Sequence, residues 1–265
     1  MHPSPPTVLS IAGYDPSSGA GVTADIKTIA AHGCYGVTCI TALTVQSTTG
    51  VRRVQPLTGR LVSETLDVLA ADLDLGGVRV GMLGSREVAQ AVADFLEQHR
   101  PKHVVLDPIL RSSSGAELLD ERGIDVLRKR LLRLAEVVTP NLDEAAVLAG
   151  VPVRNVEEMR AAARKLHEIG AAAVVITGGH LPDPVDLLSV AGEQVEFAGQ
   201  RLESKATHGT GCAFATALAC NLARAFELKD AVRASGEYVR QAIANAYAIG
   251  KGKGPVNHLY GLRER

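Results

Sequence analysis

The sequence predicts an α/β domain: a mostly parallel, doubly wound sheet flanked by helices, with a small antiparallel edge. Three observations point there. Short runs rich in Val, Ile and Leu alternate with longer segments of helical spacing, as strand–helix–strand units do. The loops richest in Gly, Asp, Asn and Thr follow predicted strands, where an open parallel sheet binds its ligands. No linker, repeat or low-complexity stretch divides residues 1–265, so one domain is expected.

The first strand is Thr7 to Ala12, and the turn Gly13 to Gly21 follows it. A helix over Val22 to Ala31 closes at Gly33, a residue type suited to a helix C-terminus. Gly36 to Val45, rich in Val, Ile and Thr, reads as a buried strand, and Val51 to Leu57 as a shorter, more exposed one. Gly59 to Leu73 places Leu61, Leu66, Val68 and Leu69 at helical spacing, with Glu64, Asp67 and Asp72 facing out. Val78 to Leu83 is a strand, Glu87 to His99 a helix, and His103 to Leu106 a strand ending at Asp107-Pro108. A basic amphipathic helix over Gly123 to Leu134 precedes Val137-Val138, a short strand entering Thr139-Pro140-Asn141. Helices over Asp143 to Ala149 and Val156 to Ile169 lead to the strand Ala173 to Thr177, which Gly178-Gly179-His180 breaks. Asp186 to Val190 and Gln194 to Ala198 form a β-hairpin around Ala191-Gly192-Glu193. Helices over Gly211 to Phe226 and Asp230 to Ile249 and a Gly/Lys tail complete the order.

Composition narrows the partners. With 28 basic and 29 acidic residues and no basic block, neither nucleic acid nor an anionic membrane surface is the expected partner. Aromatic residues make up only 3% of the chain and Trp is absent, too little for base-stacking platforms. Cys34, Cys39, Cys212 and Cys220 form no CxxC pair, a pattern that fits reduced thiols and a cytoplasmic home. Met1 to Pro6 lacks the charged and apolar regions of a signal peptide. Thr28 to Val51 has no charged residue, but Gly, Thr, Ser and Gln interrupt it, so no membrane span is expected.

The most informative stretch is Thr207-His208-Gly209-Thr210-Gly211-Cys212, followed by a run of small residues. Two glycines two apart, then a long Ala/Leu segment, read as a tight turn opening a helix. Helix N-terminal amides lack intrahelical partners and favour phosphate or developing negative charge. Cys212 lies at the same end, where a thiolate is favoured; alternatively it is a packing residue. Gln46, at a strand end, offers donors and an acceptor suited to a heteroaromatic ring, or simply caps the strand. Asp107 emerges from an apolar strand. Asn141 and Glu144 have the spacing of a helix cap, and a carboxylate there equally suits water-mediated Mg²⁺. No strand is followed by GxGxxG, which disfavours a nicotinamide dehydrogenase.

Together these residues resemble the ribokinase-like superfamily and, within it, the hydroxymethylpyrimidine/phosphomethylpyrimidine kinases of thiamine synthesis. The resemblance runs in order through Ile11 to Gly21 with Ala24 to Thr28, Ile40 to Gln46, Asp107-Pro108, and Thr139 to Asn141 with Glu144. It continues through Gly178-Gly179-His180, Thr207 to Cys212, and Gly254-Pro255-Val256 with His258. It implies transfer of a phosphoryl group from ATP, with Mg²⁺, to 4-amino-5-hydroxymethyl-2-methylpyrimidine and then to its monophosphate. By the family pattern Gln46 binds the pyrimidine, with Gly13, Ala20, Asp25 and Met82 near it. Asn141, Thr177, Gly179 and Thr207 are implied at ATP, and Asp107 and Glu144 at the metal through water. Gly209, Gly211 and Cys212 form the implied anion hole and catalytic group, and a homodimer is implied as well. Two departures stand out: Thr177 replaces a Lys common in the family, and Tyr14 replaces a small residue. The nearest rival is a pyridoxal kinase of the same branch; a silent pyrimidine-binding regulator is disfavoured by the intact Asn141/Glu144 and Gly209–Cys212 sets.

Overall fold

The computed structural model describes residues 4–112 and 115–262. The reading of Met1 to Pro6 as leader-free falls partly on residues outside that set. One nine-stranded sheet runs through the molecule in the order β3-β2-β1-β4-β5-β6-β7-β8-β9. Its parallel centre comprises β1 (Thr7–Tyr14), β2 (Tyr35–Ser47), β4 (Leu75–Val80), β5 (Val104–Leu106), β6 (Val137–Val138) and β7 (Ala173–Ile176). The predicted hairpin is β8 (Val185–Val190) and β9 (Glu193–Ala198), with β8 antiparallel to both β7 and β9. The other edge is antiparallel too, because β3 (Gly50–Pro56) folds straight back on β2.

Strands β1, β4, β5, β6 and β7 are buried on both faces, which is why they read as continuous apolar runs. Period-two alternation assigns the faces. Leu9, Ile11, Val78, Val80, Val104 and Leu106 join the core beneath α2 (Gly59–Asp72) and α3 (Arg86–His99). Val8, Val105, Val137 and Val175 face the opposite layer, which includes α8 (Thr210–Ala223) and α9 (Leu228–Ala244). Helix α1 (Gly21–Ala31) packs on that same side. Helix α8 is buried from Cys212 to Leu222, and its small residues let it lie close on the sheet. A β-carbon at Gly77 of β4 would stand 3.1 Å from the Ala219 carbonyl oxygen.

Several boundaries differ from expectation. β2 runs on to Ser47, because its far half gains a partner in β3. β4 ends at Val80, so Gly81 to Leu83 leave the sheet and bring Met82 to its carboxyl end. In α2 the buried face is Val62 and Leu66, whereas Leu61 and Val68 are exposed. The basic segment starts earlier, as α4 (Glu121–Val126), a π-helical turn (Leu127–Leu131) and α5 (Leu132–Leu134). Helices α6 (Leu142–Ala149) and α7 (Val156–Ile169) match their prediction closely. α9 stops at Ala244, and Gly250 turns at φ +76° with the Gly252 amide on Thr48 Oγ1. Among the described residues no helix is long and apolar enough to cross a membrane.

Candidate active site

The loops at the carboxyl ends of the strands and the N-terminus of α8 enclose one cleft of about 2300 Å³. Gly13, Ala20, Gln46, Met82, Asp107, Asn141, Glu144, Thr177, Gly179, Thr207, Gly209, Gly211 and Cys212 all line it. Residues from Gly13 to Cys212 thus meet around one space because parallel strands deliver their loops to one edge.

Helix α8 opens at Gly209, whose φ of +84° suits glycine. A β-carbon there would overlap the carbonyl oxygen of Gly19, so the first turn of α8 fits directly against the Gly13–Gly21 loop. That loop is tied by Asp15. Its carboxylate accepts from the Ser17 amide at 2.8 Å, Ser17 Oγ at 2.7 Å, the Ala20 amide at 3.0 Å and His208 Nε2 at 2.8 Å. Burial opposes its charge, but the bonds from His208 and Ser17 outweigh it and hold the carboxyl below its ordinary value. His208 Nε2 also lies 3.3 Å from Gln46 Nε2, joining the putting-together of loop, strand end and helix entry. Motif spacing had marked His208 only as a member of the helix-entry run; its pairing with Asp15 spans the chain and had no local signal.

Cys212 corrects one expectation. Its sulfur is buried under the first turn, with the Gly21 amide directed at it, and burial pushes the thiol up to about 11. The nearby Arg79 charge opposes that rise without cancelling it. A neutral thiol, not a thiolate, is the resting form. Asp25 corrects another. It is fully buried and does not line the cleft. Its oxygens accept from Ser10 Oγ at 2.6 Å, Thr216 Oγ1 at 2.8 Å and Arg79 Nη1 at 3.1 Å, so it acts beneath the site instead of on an acceptor.

Asn141 and Glu144 form a complete capping box: Asn141 Oδ1 accepts from the Glu144 amide and Glu144 Oε2 from the Asn141 amide, each at 3.0 Å. Glu144 is buried as well, and burial first, then the Asp107 charge, pushes its carboxyl up to about 8. Asp107 is raised by burial, against the attraction of Arg79 Nη2 at 2.5 Å. Among the described residues no group of three or more His, Cys, Asp or Glu forms a metal cluster. A carboxylate pair in which the Asp107 charge raises the proton affinity of Glu144 nevertheless suits a cation that takes few carboxylates and several waters. Thr177 bridges Asn141 through the backbone, its amide on the Pro140 carbonyl oxygen at 3.0 Å.

Glu144 also makes stability depend on pH. Between the ordinary value of 4.5 and about 8 the folded chain keeps a proton that the unfolded chain has released, so stability falls as pH rises through that window. Glu144→Gln keeps the acceptor for the Asn141 amide and removes the charge. In metal-free buffer its melting temperature is expected to match wild type near about pH 5 and exceed it near about pH 9. Parallel melting curves across that range would show that the carboxyl ionises freely.

Residues 15–257 match the phosphomethylpyrimidine kinase family. The thiamine biosynthesis bifunctional protein ThiED of Geobacter sulfurreducens is 42% identical over 255 residues, covering 96% of this chain and 52% of that protein. The chain thus spans about half of that relative. The hydroxymethylpyrimidine/phosphomethylpyrimidine kinase of Salmonella typhimurium is 41% identical over 258 residues, covering 95% of this chain and 97% of that one. Among solved structures, the pyridoxal kinase from Staphylococcus aureus in complex with AMP-PCP superposes with a TM-score of 0.90 at 31% identity, over 99% of this chain and 96% of that one. The matched residues and these relatives show that the chain belongs to the phosphomethylpyrimidine kinase family and is a phosphotransferase.

Proposed function

We propose that the chain transfers the γ-phosphoryl group of ATP to the hydroxymethyl oxygen of the aminopyrimidine alcohol, and then to the resulting monophosphate, in thiamine biosynthesis. The observation that carries this is the meeting of the α8 N-terminus, Gln46 and the Asp107/Glu144 pair in one cleft. Gln46 reads the pyrimidine edge with Gly13, Ala20 and Met82 around it. A β-carbon at Gly13 would stand 2.8 Å from Met82 Sδ, so these two close one wall of that pocket. Asn141, Thr177, Gly179 and Thr207 face the nucleotide side. A single domain, a homodimer and a cytoplasmic home belong to the same reading.

In the reaction the acceptor oxygen forms a bond to the γ-phosphorus, the bond to the β,γ-bridging oxygen breaks, and ADP leaves. Little covalent work falls to the protein, because the transition state is loose and its charge sits on the phosphoryl oxygens. The first amides of α8 meet that charge as fixed dipoles. Cys212, held neutral by burial, orients the acceptor hydroxyl; the hydroxyl proton passes to water late in a loose transition state, so no thiolate is needed beforehand. Asp107 and Glu144 would hold Mg²⁺ through water, and when bound it neutralises the nucleotide phosphates.

The deciding assay is coupled ADP release with the pyrimidine alcohol, its monophosphate and pyridoxal side by side. Turnover of the pyrimidines well above pyridoxal is expected. The reverse order would favour pyridoxal phosphorylation, the reading that the superposed kinase supports. Gln46→Leu leaves the ring's polar edge unpaired, at about 1–3 kcal/mol. Its acceptor KM should therefore rise while the ATP KM changes little; an unchanged acceptor KM would leave Gln46 a strand-end residue.

A further inference from the structure

An arginine in the middle of an apolar strand is costly, and Arg79 is fully buried between Val78 and Val80 of β4. Strand alternation turns the two valines to the α2/α3 core and Arg79 to the side of α1 and α8. There its guanidinium is shared by two carboxylates from different elements. Nη1 lies 3.1 Å from Asp25 Oδ2 of α1, and Nη2 lies 2.5 Å from Asp107 Oδ2 after β5. Nε has no hydrogen-bond partner, so the two acids alone hold the group. Asp25 in turn is fixed from two directions: Ser10, the register neighbour of Arg79 on β1, and Thr216 of α8. Thr216 stands one helical turn after Cys212. The chain also clears space for the guanidinium, because a β-carbon at Gly81 would overlap it.

A buried ion pair is weak evidence for stability, since apolar side chains of similar size fill such a space at least as well. What this one does supply is a continuous connection from α8, through Thr216, Asp25 and Arg79, to the carboxylate that enters the cleft beside Glu144. We propose that Arg79 is a positioning residue for phosphoryl transfer, coupling the placement of the Asp107 carboxylate to that of the first turns of α8. This rests on the cleft being the transfer site. Arg79 touches neither acceptor nor nucleotide; it sets where the groups on the two sides of the transferred phosphoryl stand relative to each other. Small errors in that spacing are expensive in rate while leaving binding intact, because ground-state contacts tolerate a misplacement that the transition state does not.

The test uses Arg79→Lys, which keeps the charge but replaces the fork that spans two carboxylates by a single point. The acceptor is whichever of the pyrimidine and pyridoxal alcohols the wild-type enzyme turns over, so failure of the substrate assignment is seen first and separately. Turnover should fall by roughly 10- to 100-fold, with both KM values within about threefold of wild type. Calorimetric nucleotide affinity and the melting temperature should stay near wild type. Thr216→Val, a smaller change in the same connection, should lower turnover by a few-fold. The double variant should be no worse than Arg79→Lys alone, because two breaks in one connection do not multiply. Wild-type turnover in a folded Arg79→Lys protein would overturn the proposal, as would losses that multiply in the double variant or a fall in nucleotide affinity matching the fall in turnover. Should Arg79→Lys not fold, unchanged turnover in Thr216→Val would overturn it alone.

Discussion

Gly209→Ala is expected to remove nearly all turnover from a protein that still folds. The residue sits at φ +84°, and the place of its missing β-carbon is taken by the Gly19 carbonyl oxygen. An alanine must therefore leave its backbone region, at roughly 1–2 kcal/mol, and push the Gly13–Gly21 loop away from α8. Both movements displace the first amides of the helix. Loss of one such donor costs roughly 10²–10³ in kcat, so a fall of at least that size is expected, with a modest drop in melting temperature. Gly211→Ala is the control, because a β-carbon there would meet no protein atom within 4 Å. It should melt as wild type, and its turnover reports on the room the bound substrates need. Near-normal activity in Gly209→Ala would mean that the helix entry is not where the charge develops.

Cys212→Ala should keep both substrates bound and lower turnover by roughly 10²-fold, the scale expected when a reacting group loses its orientation. Because the thiol is pushed up to about 11, its protonation hardly changes near neutrality. The ratio of wild-type to variant turnover should therefore be flat between about pH 7 and about pH 9. A ratio climbing about tenfold per pH unit would identify the rare thiolate as a general base instead. The comparison is made as a ratio so that ionisation of Glu144, which falls in the same range, cancels.

The sequence made the strand order of events visible because parallel strands buried on both faces announce themselves as apolar runs. Helices with strong caps were nearly as legible: the capping spacing of Asn141 and Glu144 places the start of α6 within one residue of Leu142. Two things were hidden. Pairing partners were one, since nothing in Val51 to Leu57 says that it folds back on β2 to build a second antiparallel edge. Environment was the other. Asp25 looks like any polar residue on a helix near a glycine-rich loop, yet Ser10, Arg79 and Thr216 consume its hydrogen bonds. Cys212 sits at a helix start, where a thiolate is favoured, but burial raises its thiol more than the Arg79 charge lowers it. The lone arginine in β4 was the available signal for that buried layer, because a charge in an apolar strand demands partners.

The bond between Asp15 and His208 spans 193 positions, and that between Asp25 and Thr216 spans 191. During synthesis a chain that has already emitted its first seven strands can pair them, but it has no anion site until α8 arrives. Such non-local contacts carry a loop-closure cost that slows their formation. Without α8 and the turn before it, Asp15 loses His208 and Asp25 loses Thr216, while Arg79 keeps both of its carboxylates. The cleft is therefore complete only when the two ends of the chain have met, since its lining runs from Ala12 to Lys253.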